Sequence, residues 1–363
     1  MLYSFLLMCT VVLMIAYTAV RPDLLSPLGM SLWTMMSLVV VIIVTKTFSR
    51  AKLFDLLFLF SVAIIMVMHW AVTSDALLSL LMYLVVCCLL LFLGHTRFDS
   101  RKVLLIPIIG VVLQSILYFR EMIFALIVQN ELFAYSVFFL NSNTCSMFCA
   151  MAYISTYILL KTKWKYMLMI LFIIGTFAGM SRGALLFIVA FHLFLFLMRR
   201  FKCQRLLIFS LPFMLFALAY VLIFTDTSDS ISLFGKSGTT GRAMQITYLW
   251  EKYSINLFGY GREVISDETL YFFHYPPHNL FFFTLFGMGL LFLLCYLAYI
   301  VRIYGLLKSE MAKSALLAMQ LYYFFEPVIP FEASLSFFRP NVIIIAMDKF
   351  LGEERTRNEY FFN

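Results

Sequence analysis

The chain has 363 residues, of which 63% are hydrophobic and only 13% charged, and its formal net charge is +8. Soluble domains are nearer half apolar and a quarter charged, so this composition excludes an ordinary soluble enzyme, a disordered chain and a fibrous protein. It is typical of an all-α polytopic membrane protein. The basic balance predicts no nucleic-acid partner, because in such chains Lys and Arg mark the loops on one side of the bilayer.

The apolar runs predict about 12 transmembrane helices, since roughly 20 apolar residues cross a bilayer as a helix. The start of the chain has neither a basic n-region nor a small-residue cleavage site, so we expect a first span there. The whole chain, 1–363, is expected to form a single integral membrane domain. The predicted spans are 1–20, 27–45, 53–72, 76–93, 103–119, 143–160, 166–180, 184–198, 206–225, 278–301, 314–325 and 341–350.

The basic residues are distributed unevenly between these spans. Alternate loops hold 19 of the 27 Lys and Arg residues, and this distribution predicts cytoplasmic N and C termini. Placing the apolar stretch 121–139 on the membrane surface keeps the alternation intact. The longest hydrophilic segment, 226–277, then forms one large loop outside the cytoplasm, and Arg182, Glu326 and Arg339 lie on the same side.

The first motif on this outer face is Ser181-Arg182-Gly183. An arginine at a membrane boundary is costly unless it reaches water, pairs with an anionic group or binds a ligand. Gly183 removes a side chain beside it and allows another group to approach closely. A solvated arginine and an anion site remain the two interpretations.

Within the loop, apolar residues recur at helical spacing over 242–254 and predict an amphipathic helix on the membrane interface. Tyr248, Trp250 and Tyr253 are its expected aromatic anchors. Arg242 falls in the first turn, where a cation opposes the helix dipole unless an anion is also present. This position favours an anion site over a solvated arginine.

The segment Phe258-Gly259-Tyr260-Gly261 follows this helix, and Arg262 comes directly after it. Two glycines around an aromatic residue predict a tight turn. Its spacing is not that of a dinucleotide fingerprint.

His278-Asn279 opens the next apolar run, directly after two prolines. A histidine titrates near neutrality and can act as a general base or donate to a phosphate. A helix cap or an interfacial hydrogen bond is the alternative interpretation. The remaining histidines are interpreted as structural or loop-borne, with a weaker case for His274: His69, His95, His192 and His274.

Three acidic residues precede His278 in the same loop: Glu263, Asp267 and Glu268. They are the alternative source of a general base, although a solvated loop face explains them as well. Two arginines and a histidine on one face indicate recognition of a phosphate-bearing lipid. Two guanidinium groups can neutralise a departing diphosphate, so we expect no metal and no cofactor.

The order of these motifs resembles that of the bacterial O-antigen polymerase and O-antigen ligase superfamily (Wzy-type and WaaL-type). The resemblance covers residues 140–300, and Asn141 or Asn143 stands near a position where that superfamily often has an asparagine. The motifs that carry it are Ser181-Arg182-Gly183, Gly241-Arg242 with Trp250, Phe258-Gly259-Tyr260-Gly261 and His278-Asn279.

This resemblance implies a glycosyltransferase of the C-class type in the bacterial inner membrane, with its active site facing the periplasm. The implied donor is a glycan carried on undecaprenyl diphosphate. Arg182 and Arg242 would hold the diphosphate, and His278 would activate the acceptor hydroxyl or contact the leaving group. The expected substrate-binding residues are Ser181, Gly183, Asn279, Gly259, Gly261, Arg262, Glu326 and Arg339.

A polymerase would transfer the glycan to another lipid-linked repeat unit, whereas a ligase would use lipid A–core. Ligases usually place a small or aromatic residue three positions after the glycine that follows His-Asn. Phe292 stands at that offset from Gly289. The short chain and its heavily biased composition suit the very variable polymerases, and we favour the polymerase over the ligase. The polymerase resemblance also implies a chain-length regulator as partner. A polysaccharide-lipid transporter is the other alternative, although no internal repeat is visible.

Overall fold

The computed structural model describes residues 53–74, 99–129, 134–136, 142–204, 206–208, 210–211, 214, 242–273, 279–325 and 341–354. These residues form helices joined by short turns. In chain order the helices are α1 Leu53–Thr73, α2 Ser100–Leu117, α3 Phe119–Val128, α4 Ser142–Leu159, α5 Trp164–Ala178, α6 Arg182–Phe201, α7 Arg242–Lys252, α8 Arg262–Phe273, α9 Leu280–Phe283 with a π-helical continuation Thr284–Met288, α10 Leu290–Leu306, α11 Glu310–Phe325 and α12, residues 341–354.

Three of these helices are long and apolar enough to cross a membrane, namely α1 from Asp55 onwards, α2 and α6. Two further apolar helices, α5 and α10, are shorter. This is the architecture of a helical membrane protein. The predicted spans 1–20, 27–45 and 76–93 lie outside the described residues, and within the predicted span 206–225 only residues 206–208, 210, 211 and 214 are described, all of them helical.

Most of the described apolar runs form one helix each, close to the predicted bounds. This holds for the predicted spans 53–72, 103–119, 143–160, 166–180, 184–198, 314–325 and 341–350.

The predicted span 278–301 is not one helix. It begins as α9, continues through the π-helical turn Thr284–Met288 and stops at Gly289, which has a φ of +93°. A new helix, α10, starts at Leu290. The prediction of a continuous span is therefore wrong here, because glycine adopts a backbone conformation that a helix cannot continue through.

The apolar stretch 121–139 also differs from its prediction. Helix α3 starts at Phe119, almost directly after α2, and it ends at Gln129, which has a φ of +51°. Residues 130–133 and 137–141 lie outside the described part of the chain. The described helix therefore occupies only the first half of the predicted stretch.

The large hydrophilic segment contains two described helices where the sequence predicted one. Helix α7 matches the predicted amphipathic helix, and α8 follows after a nine-residue connection. The sequence of α8 mixes acidic and aromatic residues without a clear apolar stripe, so its helical period is not evident.

Among the described helices, α6 and α11 form the most extensive pair, and they run antiparallel. The amide of Gln204, just past the end of α6, donates to Glu310 Oε1 at 2.9 Å, and Lys313 Nζ donates to Gln204 Oε1 at 3.0 Å. The first residue of α6, Arg182, therefore lies at the end of the pair where α11 finishes.

The same end of the fold that holds Gln204 also gathers several other chain segments. Ser100 Oγ contacts Glu353 at 3.3 Å, and Lys161 Nζ contacts Glu354 at 3.0 Å. We call this the basic end, defined by the start of α2, the ends of α4, α6, α10 and α12, and the start of α11. These are segments that the charge distribution predicts to share one side.

Helix α1 is joined to α10 by a bidentate ion pair near the basic end. Arg302 Nε and Nη2 donate to the two carboxylate oxygens of Asp55 at 2.5 and 2.9 Å. The ring of Phe58 stacks on Tyr299 one turn further along. Helix α1 otherwise exposes large apolar side chains such as Phe60, as expected of a surface that faces lipid.

Candidate functional site

The turn formed by residues 256–261, which we call the docking turn, packs its backbone against the break between α9 and α10. Tyr260 N donates to Phe286 O at 2.9 Å, and Gly261 N donates to Gly287 O at 3.0 Å. These carbonyl groups are available because the helix ends at Gly289, and the amides of Leu290 and Leu291 that would otherwise pair with them donate elsewhere.

The other side of the break is paired in the same way. Leu290 N donates to Asn256 O at 2.9 Å, and Leu291 N donates to Leu257 O at 3.2 Å. The first amides of a helix have no partner within it, and buried backbone groups need one. The docking turn supplies these partners, so the break and the turn stabilise each other.

Glycine is required where the two backbones meet. Gly259 has a φ of +75°, and a Cβ atom at this position would lie 2.5 Å from Gly287 O. Gly261 has a φ of +99°. The predicted tight turn is confirmed, and its glycines serve close backbone contact as well as chain reversal.

Asn256 shapes the docking turn from within. Its side-chain oxygen accepts from Phe258 N at 2.8 Å and Gly259 N at 3.2 Å, and its amide donates to Gly259 O at 3.1 Å. Sequence reasoning missed this residue. Its signal was an asparagine two residues before an aromatic-glycine pair, since asparagine bonds the backbone two residues on in such turns.

His69 supports the docking turn from α1. It is fully buried, and its Nδ1 lies 2.5 Å from Phe258 O. A carbonyl only accepts, so Nδ1 carries the proton in this bond. Thr73 Oγ1 lies 3.2 Å from the other ring nitrogen. The interpretation of His69 as structural agrees with this environment, but sequence reasoning missed its link to the docking turn.

Arg262 follows the docking turn as the first residue of α8. Its side chain is 11% exposed, and Nη2 lies 3.8 Å from the exposed carboxylate of Glu263. Gly287 lies directly against its backbone. Arg262 is therefore a largely buried cation on a rigid backbone, next to the helix break.

Ser181 and Arg182 begin α6. The buried hydroxyl of Ser181 caps the helix by accepting from Ala184 N at 3.3 Å, a common role for serine at this position. Arg182 is half-buried and Gly183 is buried. The structure thus gives Ser181 a capping role, while its predicted contact with substrate stays a prediction.

Asn279 caps α9 in the same manner. Its Oδ1 accepts from Phe282 N at 3.0 Å, and its Nδ2 donates to Phe324 O at 3.1 Å. This second bond joins the start of α9 to the end of α11, which is the end of the fold where α6 begins. His278, Glu326 and Arg339 lie outside the described residues.

Three described helices begin at an arginine, namely α6 at Arg182, α7 at Arg242 and α8 at Arg262. The structure describes the backbone of Arg242 but not its side chain. A cation at a helix start is disfavoured by about 0.3–1 kcal/mol. An anion reverses this cost, because backbone N–H groups and guanidinium groups both donate to it.

The aromatic residue Trp250 of α7 and Tyr253, which directly follows the helix, pack on the protein. Trp250 meets Phe286 edge-on with ring centroids 6.3 Å apart, and Tyr253 lies 4.6 Å from Tyr260 by the same measure. The apolar face of α7 buries Ile246 and Leu249 completely. These side chains therefore hold α7 against α9 and the docking turn. Trp250 remains 45% exposed, and the role of these residues as membrane anchors stays a prediction.

Glu268 ties α7 to α8. Its carboxylate accepts from Lys252 Nζ at 2.7 Å and from Tyr253 Oη at 2.5 Å. Burial alone would raise the pKa of Glu268, but these bonds outweigh it and hold the pKa below the usual range. The same bond to Glu268 raises the pKa of Lys252. Glu268 is thus engaged as a structural link, whereas Glu263 and Asp267 are exposed.

Comparison of the chain with family models, curated proteins and solved structures gives no match. The family resemblance therefore stands on the motifs alone.

Proposed function

We propose that the chain is a glycosyltransferase that acts on a glycan linked to undecaprenyl diphosphate, and that it polymerises a surface polysaccharide of the O-antigen type. The observation that supports this proposal is the set of three helices that begin at Arg182, Arg242 and Arg262. The amides at a helix start and the guanidinium group of an arginine both donate to an anion. A diphosphate is the anion that needs several such donors.

The proposed reaction forms one bond and breaks one. The oxygen of an acceptor hydroxyl attacks the anomeric carbon of the donor, and the bond from that carbon to the diphosphate oxygen breaks. The bonding electrons leave with undecaprenyl diphosphate, and the hydroxyl proton passes to a general base, for which we propose His278. The donor bond supplies the energy, so no nucleotide is consumed.

The proposed reaction would require cations that are held rigidly in place. Charge develops on the diphosphate as the bond breaks, and donors held in position stabilise that charge without reorganisation. Arg262 meets this requirement because four backbone hydrogen bonds hold the docking turn against the helix break. Arg182 starts a helix that packs along its length against α11.

The proposal includes the sidedness that the sequence predicts. The basic end would face the cytoplasm, and the arginine-led helix starts would face the periplasm of a bacterial inner membrane. A regulator of glycan chain length is the proposed protein partner. Transfer to lipid A–core would instead make the chain a ligase.

A transporter of lipid-linked glycan is the second candidate, and the break at Gly289 favours it. Transporters often bind anionic substrates at the starts of discontinuous helices. Both candidates would use the same arginines. They differ in whether a new glycosidic bond forms.

Reconstitution of the full chain in liposomes, with a donor that matches the host's own repeat unit, separates these candidates. A ladder of lengthening lipid-linked glycans without lipid A–core establishes the polymerase. A single transfer that requires lipid A–core establishes the ligase. Movement of the donor between leaflets without any new product contradicts both enzymes and supports the transporter.

Variants test whether the site carries the activity. We expect Arg182→Ala, Arg262→Ala and His278→Ala each to lower the initial rate by about 100-fold or more, the usual effect of losing one charge-stabilising donor. Arg101→Ala removes an exposed arginine at the basic end and serves as the matched control. Equal rates in all four proteins, each with an unchanged melting temperature, would contradict this site.

A further inference from the structure

A groove of about 400 Å³ runs along α6 toward the basic end, far from the arginine-led helix starts. Its described lining consists of His192, Leu195, Phe196, Arg199 and Arg200. These residues are spaced as one stripe of a helix, so the groove follows the helix axis. At 1.5 Å per residue it extends about 12 Å from the arginines toward the middle of the helix.

The groove combines a cationic mouth with an apolar floor. Arg199 and Arg200 are both exposed at the last turn of α6. Arg199 Nε forms a loose ion pair with Glu310 Oε2 at 3.9 Å, which is longer than a hydrogen bond. Leu195 and Phe196 supply the floor below them.

The inner end of the groove is fixed by polar and aromatic contacts. His192 Nε2 lies 2.9 Å from Tyr153 Oη, and its ring meets Tyr157 edge-on at 5.3 Å. Lys165 Nζ lies 4.1 Å from the centroid of the Tyr157 ring and donates to Tyr157 O at 2.8 Å. A third cation is therefore held beside the groove on a neighbouring helix.

The position of the groove at the end of α6 matches the boundary between lipid and water. Helix α6 is one of the three helices long and apolar enough to cross a bilayer, and the arginines end it. Trp164 and Tyr166 are exposed at the nearby start of α5. Exposed Trp and Tyr with basic residues are typical of the headgroup level.

We propose that this groove binds an anionic phospholipid. Arg199 and Arg200 would hold the headgroup phosphate, and an acyl chain would lie along Leu195 and Phe196. A soluble anion would use only the arginines, whereas the apolar floor fits a ligand with a hydrocarbon tail. Basic residues at the cytoplasmic end of a membrane helix attract anionic headgroups.

The test uses the full chain in detergent, titrated with phosphatidylglycerol, with bound lipid counted by native mass spectrometry. We expect Arg199→Gln/Arg200→Gln to weaken the apparent Kd of the first bound lipid by roughly 10- to 30-fold, since each basic residue at the surface attracts anionic lipid strongly. Phe196→Ala should weaken it by a smaller factor. Phosphatidylcholine should bind no tighter to the wild type than to the double variant.

The control is Lys161→Gln/Lys163→Gln, which removes the same charge from exposed positions at the same end outside the groove. An equal loss in this control would overturn the proposal and indicate a general attraction of lipid to positive charge. Displacement of the lipid by an equal concentration of glycerol phosphate would also overturn it, because the apolar floor would then contribute nothing. If the double variant does not fold, Arg200→Gln alone is compared with Lys163→Gln.

Discussion

The Nδ1 atom of His69 lies 2.5 Å from the carbonyl oxygen of Phe258, and this bond joins α1, a helix long and apolar enough to cross a membrane, to the docking turn. The two residues are 189 positions apart in the chain. The docking turn also holds the backbone of Arg262 against Gly287. A side chain buried in α1 therefore helps to position a cation of the proposed substrate site.

Replacing His69 tests this relationship. His69→Leu removes the Nδ1 donor and leaves the carbonyl of Phe258 without this hydrogen bond, which lowers the free energy of unfolding by about 1–3 kcal/mol. We expect a lower melting temperature and faster amide exchange in residues 256–261. His69→Gln keeps a donor, and partial recovery of both properties is the expected result. If His69→Leu exchanges no faster than the wild type, the bond does not hold the turn.

Gly259→Ala tests the close approach of the two backbones. The new Cβ would lie 2.5 Å from Gly287 O, and a φ of +75° costs a non-glycine residue about 1–2 kcal/mol. We expect a large loss of thermal stability together with loss of the proposed activity. Gly305→Ala is the matched control, because nothing lies within 4 Å of a Cβ there. Similar melting temperatures for the two variants would contradict the requirement for glycine.

Most of the described apolar helices were predicted from the sequence. In a long apolar run the backbone N–H and C=O groups must bond to each other as a helix, because lipid offers them no partner. The sequence also predicted the glycine turn at 258–261. It did not predict the break at Gly289, since a π-helical turn and the docking of a distant segment leave no local periodicity. The two glycines at 287 and 289 were the available signal.

Long-range polar contacts explain the other differences. The link between His69 and Phe258 depends on how α1 and the outer segment pack, which no spacing along the chain reveals. Helix α8 was missed because its stability comes from Glu268, Lys252 and the aromatic residues around them. Arg182, Arg242 and Arg262 were recognised from the sequence, but their shared place as first helical residues was not.

The contacts of Glu268 that link α7 to α8 predict that the folding stability depends on pH. Glu268 has a lowered pKa in the folded protein, so it contributes stability above its unfolded value of about 4.3. That contribution is lost as the pH falls through the folded pKa. Lys252, with a raised pKa, keeps its charge through the neutral range.

Melting temperatures of Glu268→Gln at pH 7 and near pH 3 check this dependence. We expect the variant to melt roughly 2–4 °C below the wild type at pH 7, and the gap to close at the lower pH. Asp267→Asn changes an exposed neighbour and should differ little from the wild type at either pH. A gap that stays constant with pH would show that the ionised carboxylate is not what stabilises the pair.

The ion pair between Asp55 and Arg302 gives the sharpest stability prediction. Asp55 is almost fully buried and Arg302 mostly so, and the pair is bidentate. Asp55→Leu leaves the arginine charge in an apolar setting, which costs about 3–5 kcal/mol. The double variant Asp55→Leu/Arg302→Met removes both charges, so most of that loss should be recovered.

Unfolding in detergent measures the stability of the single and the double variant. Lys161→Met is the control for an exposed ion pair. Lys161 bonds Glu354 at the surface, and losing such a pair costs less than about 1 kcal/mol. If the double variant is as unstable as Asp55→Leu, the cost comes from lost packing between α1 and α10. Recovery in the double variant instead assigns the cost to the arginine charge that Asp55→Leu leaves buried and unpaired.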